Sequence, residues 1–246
     1  MYQEHFLTHG WVRVPSAFSA TEAAAMRDVT WQALEQVGIR RDEPQTWGKE
    51  RPDHLQHLKA NPVFQAVGSA RTQDAIDEVL GGHAWKRPRD WGAFFIVFPT
   101  PGRAWTPATT GWHLDASYTG PLWPPAGVKV HAMYGDVLPR CGGMNIMSGS
   151  HRVVHQWFLG NPQPPGTASA KLRKALLCDA PLAQLEVLEN TATAGDVILM
   201  HPLLLHAPPV AHCGREPRFL LNKDLYVDPP DGRSPATAGL PEHLPA

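Results

Sequence analysis

The sequence has little cysteine, almost no net charge and no long apolar run, and each shortage removes a class of protein. Its three cysteines, Cys141, Cys178 and Cys213, are far apart, odd in number and without C-x-x-C spacing. That excludes a disulfide frame or a zinc knuckle and predicts free thiols in a reducing compartment. Lys plus Arg number 22 against 23 Asp plus Glu, a formal charge of -1, so no cationic footprint for nucleic acid is present. No stretch approaches the roughly 20 apolar residues of a membrane-spanning helix. The opening "MYQEHFLTHG" lacks both the basic start and the apolar core of a signal peptide. The expectation is a cytoplasmic protein with neither nucleic acid nor membrane as partner, whose oligomeric state the residues leave open.

What is present is turn-forming residues and histidine. The 246 residues include 25 prolines, 21 glycines and 13 histidines. That length accommodates one large domain, and β-rich folds often use it as a single unit. Gly10 to Pro15 alternates like a strand, and Ser19 with Glu22 forms a capping box for a helix that Gly38 stops. Residues 40 to 62 read as a polar loop with at most one short helix. The stretch "NPVFQAVGSARTQDAIDEVLGG" reads as two short helices capped by Asn61 and Ser69.

Beyond residue 85 the texture changes to short β-branched and aromatic runs separated by turns: 91–99, 127–138, 142–150, 185–206 and 218–227. One helix, about Thr167 to Leu177, interrupts them. Short strands at such intervals, without alternating helices, predict an antiparallel barrel or sandwich. The expected organisation is one domain over residues 1–246, with a helical portion of about 1–85 packed on a β-barrel of about 86–230.

The chemistry-bearing stretch is "TTGWHLDASY". His113 and Asp115 are two apart, so on an extended strand both point to one face, while Trp112 and Leu114 face the core. Alone the tripeptide is weak evidence, since chance supplies an H-x-D about 0.7 times in a chain of this composition. Iron oxygenases bind the metal with two histidines and one carboxylate, leaving positions open for cosubstrate and dioxygen. A third ligand would come from a distant antiparallel strand, and "AGDVILMHPLLLHAPPV" offers His201 and His206. Arg218, at the start of the next strand, offers a cation for the far carboxylate of a diacid, because guanidinium donates a bidentate pair in fixed geometry.

Four segments in order, "GWHLDASY", "CGGMNIMSGSHR", "AGDVILMHPLLLHAPP" and "RFLLNKDL", resemble the phytanoyl-CoA dioxygenase family of Fe(II)/2-oxoglutarate oxygenases. The opening "FLTHGWVRVPSAFSATEAAAMR" is also similar, so the resemblance runs over about residues 5 to 227. It implies an all-β core with flanking helices, a double-stranded β-helix (jelly-roll, cupin-like). It also implies Fe(II) as cofactor, with 2-oxoglutarate and dioxygen as cosubstrates. Carried onto this chain it makes His113, Asp115 and His206 the metal ligands, with His201 structural and the alternative should the turn be shifted. Arg218 becomes the 2-oxoglutarate anchor, with Arg215 its competitor. Asp115, in the place that related halogenases leave to chloride, implies hydroxylation or another oxidation of a small-molecule substrate.

Two residues depart from the family pattern. Leu114 stands between the ligands where a polar residue is common, and Pro208 stands where a small hydroxyl residue is usual. They keep in play a jelly-roll binding protein without turnover; the other alternative is a cupin-like metalloenzyme that uses no 2-oxoglutarate, in which Arg218 would have no role. His131 is expected to be a satisfied core histidine, His151 structural or exposed, and His54 and His57 part of a solvated face. Phe94 to Phe98 is expected to flank the metal, alternate residues lining the pocket.

Overall fold

In the computed structural model, which describes residues 1–48, 54–114, 127–160 and 180–227, two antiparallel sheets face each other. The larger contains β1 (Trp11–Val14), β6 (Val197–Met200), β3 (Gly127–Met133), β8 (Arg218–Tyr226) and β2 (Ala93–Val97), neighbouring in that order. The smaller runs β5 (Val187–Glu189), β4 (Asn145–Met147), β7 (His206–Ala207). An isolated antiparallel bridge between His113 and His206 extends it at the β7 edge. From β5 onward the chain alternates between the sheets, and the architecture is the double-stranded β-helix that the resemblance implied.

Strand periodicity sorts the apolar residues into three layers. Val128, Val130 and Ala132 of β3, with Phe94, Ile96, Leu199 and Leu221, turn outward onto the helices and bury Met26, Trp31, Leu34, Phe64 and Ile76. The opposite face carries Met133, Ile198, Met200 and Leu220 inward, against Ile146 of the smaller sheet. Leu203 and Leu205 pack under Val154 of α4 (Ser150–Gly160), together with Trp112 and Leu114. Each fully buried side chain of this size contributes roughly 1.5–3 kcal/mol of apolar transfer. The sandwich is therefore held on both outer faces as well as between its sheets.

The predicted caps are present. In α2 (Ala20–Glu35) the Ser19 hydroxyl accepts from the Glu22 amide at 3.1 Å, and the Glu22 carboxylate accepts from the Ser19 amide at 2.7 Å. Asn61 accepts from the Val63 amide at 3.0 Å, and Ser69 accepts from the Thr72 amide at 3.1 Å at the start of α3 (Ala70–Val79). The stretch read as loop holds two 3-10 segments, Pro44–Thr46 and His54–Ala60, the second burying Leu55 and Leu58 while His57 stays exposed.

Two helices of eight residues or more were not expected from the sequence. In α1 (Tyr2–His9) only Phe6 is buried, so no apolar stripe marks it. Gly10 ends it in the left-handed conformation, at φ 78°, and returns its amide to the Phe6 carbonyl at 2.7 Å. The second is α4, which follows the Gly149 turn directly. The helix expected near Thr167 to Leu177 lies outside the described residues. Among those described, no helix is long and apolar enough to cross a membrane.

Candidate metal and cosubstrate site

The smaller sheet brings His113 to His206. Each donates its backbone N–H to the other's carbonyl, at 3.0 and 3.2 Å, and the ring centroids stand 4.5 Å apart. Their side chains are restrained in the same way. His113 Nδ1 lies 2.8 Å from the Gly111 carbonyl, and His206 Nδ1 lies 3.0 Å from the Leu204 carbonyl. A carbonyl only accepts, so Nδ1 carries the proton in each neutral ring and Nε2 keeps its lone pair. A metal-ligating imidazole is oriented in this manner.

The glycine- and serine-containing turns hold this pair in place. Ser150 Oγ accepts from the Leu205 amide at 2.9 Å, fixing the strand one residue before His206. In the Gly195-Asp196 turn, Gly195 sits at φ 103° and the Asp196 carboxylate accepts from the Ser16 and Thr193 amides at 2.9 and 3.0 Å. Asp196 thereby ties the start of β6 to the chain after β1. Trp112 and Leu114 face the α4 side as strand alternation requires. Asp115 lies outside the described residues.

Arg218 enters from the larger sheet, opposite Val97 in register, and only 4% of it is exposed. Its Nη1 donates to the Gly142 carbonyl at 2.7 Å. Gly142 has φ +81°, and a Cβ there would stand 2.8 Å from the His212 ring, so the glycine-rich turn after Cys141 admits no side chain. Burial, and then the Arg218 charge, push the His212 imidazole down to about 4, which keeps it neutral beside the guanidinium. Arg215, the competing cation, is exposed.

His113, His206 and Arg218 line one cavity of about 200 Å³. Phe95, Met144 and Leu220 supply its apolar wall, Pro208 and Pro209 close one side, and His131 and Asn222 add polar atoms. The space suits a small acid better than a drug-sized ligand. Two lone-pair nitrogens beside a buried guanidinium fit a divalent metal with an anionic chelator. His201 is elsewhere: its Nδ1 accepts from the Leu203 amide at 3.0 Å, and its ring is 5.0 Å from that of His151. His151 is structural and buried, donating from Nε2 to the Leu7 carbonyl of α1 at 3.0 Å.

His131, read from the sequence as an ordinary core histidine, is buried but turned into the cavity. Met144 and Asn222 were not singled out at all. The signal for Asn222 was available, because period-2 counting along "RFLLNKDL" from Arg218 places Leu220, Asn222 and Asp224 on the same face.

A two-sheet β-barrel with paired histidines and a buried arginine in one cavity defines the structural class. The particular family follows from sequence: the chain matches the phytanoyl-CoA dioxygenase (PhyH) family over residues 6–209 and belongs to it. Fe(II), 2-oxoglutarate and dioxygen are the cofactor and cosubstrates of that oxidoreductase family. The fold is similar to solved structures of low identity. The non-heme monooxygenase ThoJ, as its nickel complex, is 20% identical with a TM-score of 0.56, covering 92% of this chain and 77% of its own. The non-heme alpha-ketoglutarate-dependent epimerase SnoN from nogalamycin biosynthesis is 17% identical with a TM-score of 0.54, covering 92% and 81%. AviO1 from Streptomyces viridochromogenes Tue57 is 18% identical with a TM-score of 0.57, covering 95% and 96%. No curated protein sequence matches the chain significantly.

Proposed function

We propose that this protein is an Fe(II)/2-oxoglutarate-dependent hydroxylase of a small-molecule metabolite, releasing succinate and carbon dioxide. His113, Asp115 and His206 are its metal ligands and Arg218 is its 2-oxoglutarate anchor. The observation that carries this reading is the convergence of His113, His206 and the buried Arg218 on one cavity, with both Nδ1 atoms tied to backbone carbonyls.

When bound, iron with its keto acid and dioxygen supplies an oxidant strong enough to take hydrogen from an unactivated C–H bond. The chain's own contribution is orientation and exclusion of water. The two imidazoles present Nε2 without rotating, because the backbone holds the other nitrogen. Arg218 neutralises a carboxylate inside an apolar wall, where a guanidinium–carboxylate pair is stronger than in water. Phe95, Met144 and Leu220 keep solvent from the reacting centre. Solved structures with this fold include a monooxygenase, an epimerase and a carbocyclase by name, so product analysis decides between oxygen insertion and another oxidation. The free thiols of Cys141 and Cys213 support the cytoplasmic setting.

Anaerobic titration with Fe(II) and 2-oxoglutarate tests this reading. The expected result is a weak visible charge-transfer band that disappears in Arg218→Ala. Tight metal binding with no such band would sink it in favour of a metalloenzyme that uses no keto acid.

A further inference from the structure

β8 gives the barrel lumen a direction. Its inward residues are Arg218, Leu220, Asn222 and Asp224, and at about 3.3 Å per residue Arg218 and Asn222 lie roughly 13 Å apart. The paired histidines share one cavity with Arg218, Leu220 and Asn222 of this row. A short keto diacid anchored on Arg218 would fill the Arg218 end of this cavity and leave the Asn222 end, roughly 13 Å along the strand, for another ligand.

That side carries a built polar array. Lys129 of β3 stands directly opposite Asp224 in register, and His131 stands opposite Asn222. The Lys129 side chain is only 3% exposed, and its ammonium donates to Asp224 Oδ1 at 2.6 Å and to Asn222 Oδ1 at 3.3 Å. Burying an ammonium is costly unless it is paired, so the contact with Asp224, itself 39% exposed, offsets the charge. Lysine only donates, which settles the orientation of the neighbouring amide: Oδ1 of Asn222 faces Lys129, and its NH₂ is turned away. Asn222 also lines the metal cavity. Asp224 compensates the Lys129 charge, and the amide presents a hydrogen-bond donor to the cavity it shares with His113 and His206.

We propose that Asn222 is the specificity-determining donor for the primary substrate, oriented by Lys129, which Asp224 holds. The substrate class follows: a polar metabolite with a carbonyl or carboxylate oxygen close to the carbon that is oxidised, rather than a bare acyl chain. A half-buried amide that an apolar substrate strips of water and leaves unpaired penalises that substrate, which is how such a site discriminates. The inference rests on the proposed 2-oxoglutarate site, because Arg218 defines which side is vacant for substrate. A second cavity, about 540 Å³ and lined by Trp47, Phe98 and Arg103 among others, lies at the Arg218 end behind Pro208 and Pro209 and is the rival location.

The experiment has two readouts. In the first, Fe(II) and 2-oxoglutarate are titrated anaerobically into wild type, Asn222→Leu, the double variant Lys129→Met/Asp224→Asn, and Arg218→Ala. The double variant removes the ion pair together and strands no charge. We expect 2-oxoglutarate affinity within about twofold of wild type for the first two and a loss of tenfold or more for Arg218→Ala. Equal losses for Asn222→Leu and Arg218→Ala would show that the array serves the cosubstrate and overturn the inference. A wild type without the band would overturn the 2-oxoglutarate reading itself.

In the second, the zinc- and 2-oxoglutarate-loaded protein is titrated with acetamide, a minimal carbonyl probe. The Asn222 side-chain NH₂ signals are followed by NMR and assigned by their loss in Asn222→Asp. A saturable shift in wild type, weakened at least threefold in the double variant, is the expected outcome. No shift, or an undiminished shift in the double variant, overturns the role given to Asn222 and Lys129. Acetamide shifts confined to the indole N–H of Trp47 would move the substrate to the rival cavity.

Discussion

His113 and His206 exchange both backbone hydrogen bonds of an antiparallel bridge, which sets their rings 4.5 Å apart on the same side of the smaller sheet. Separated by most of the barrel in sequence, they become neighbours only through this pairing. His201, in the same chain segment, ends against His151 and Phe6 instead. His113→Ala, Asp115→Ala and His206→Ala are therefore expected to abolish succinate formation and Fe(II) binding. His201→Ala should keep Fe(II) binding while lowering the urea midpoint, since the buried Leu203 amide loses its acceptor, at a cost of about 1–3 kcal/mol. Anaerobic iron titration with urea unfolding separates the two outcomes, and normal turnover in His206→Ala would refute the assignment.

Arg218→Ala is expected to raise the 2-oxoglutarate requirement by about 10- to 100-fold, the range for losing a charge-assisted pair. Lysine should not restore it, because a point charge lacks the planar fork. Arg215→Ala, at an exposed position, should titrate like wild type. Measuring succinate release against 2-oxoglutarate concentration checks all three.

Acid should destabilise the fold through its buried histidines. Burial holds His151 and His212 down to about 4, below the ordinary value of 6.5. The unfolded chain then binds more protons than the native one between those values, so stability rises with pH across that window. It is complete above about 6.5 and is lost as pH falls toward 4. His151→Gln, whose amide can still donate to the Leu7 carbonyl, should flatten the dependence of the urea midpoint on pH over that interval. An unchanged slope would contradict the buried neutral state.

Asp196 secures the turn into β6 through the Ser16 and Thr193 amides. Asp196→Ala should cost about 2–3 kcal/mol in urea unfolding, because two amides lose a charged acceptor. Iron affinity of the folded fraction should remain that of wild type. A selective loss of iron binding at normal stability would place Asp196 in the site after all.

Much was legible from local chemistry. The caps at Ser19, Asn61 and Ser69 form as their side chains dictate, and the β-branched runs around Val130, Ile198 and Leu221 became strands. Their inward and outward faces follow from a period of two. Helix α1 was illegible because a single buried residue, Phe6, gives no periodicity, and its stability comes from docking on Gly10, His151 and the barrel.

By itself, the sequence determined the strands, their two-faced patterning and the order of the histidine, glycine and arginine motifs, all properties of neighbouring residues. Tertiary structure decided which histidine of "HPLLLH" turns inward, that Gly142 must hold Arg218, and that Lys129, Asn222 and Asp224 form one array. Those relationships depend on strand register and on which face of each sheet meets the other. A one-residue slip would reverse every one of them, and only the packed core excludes it.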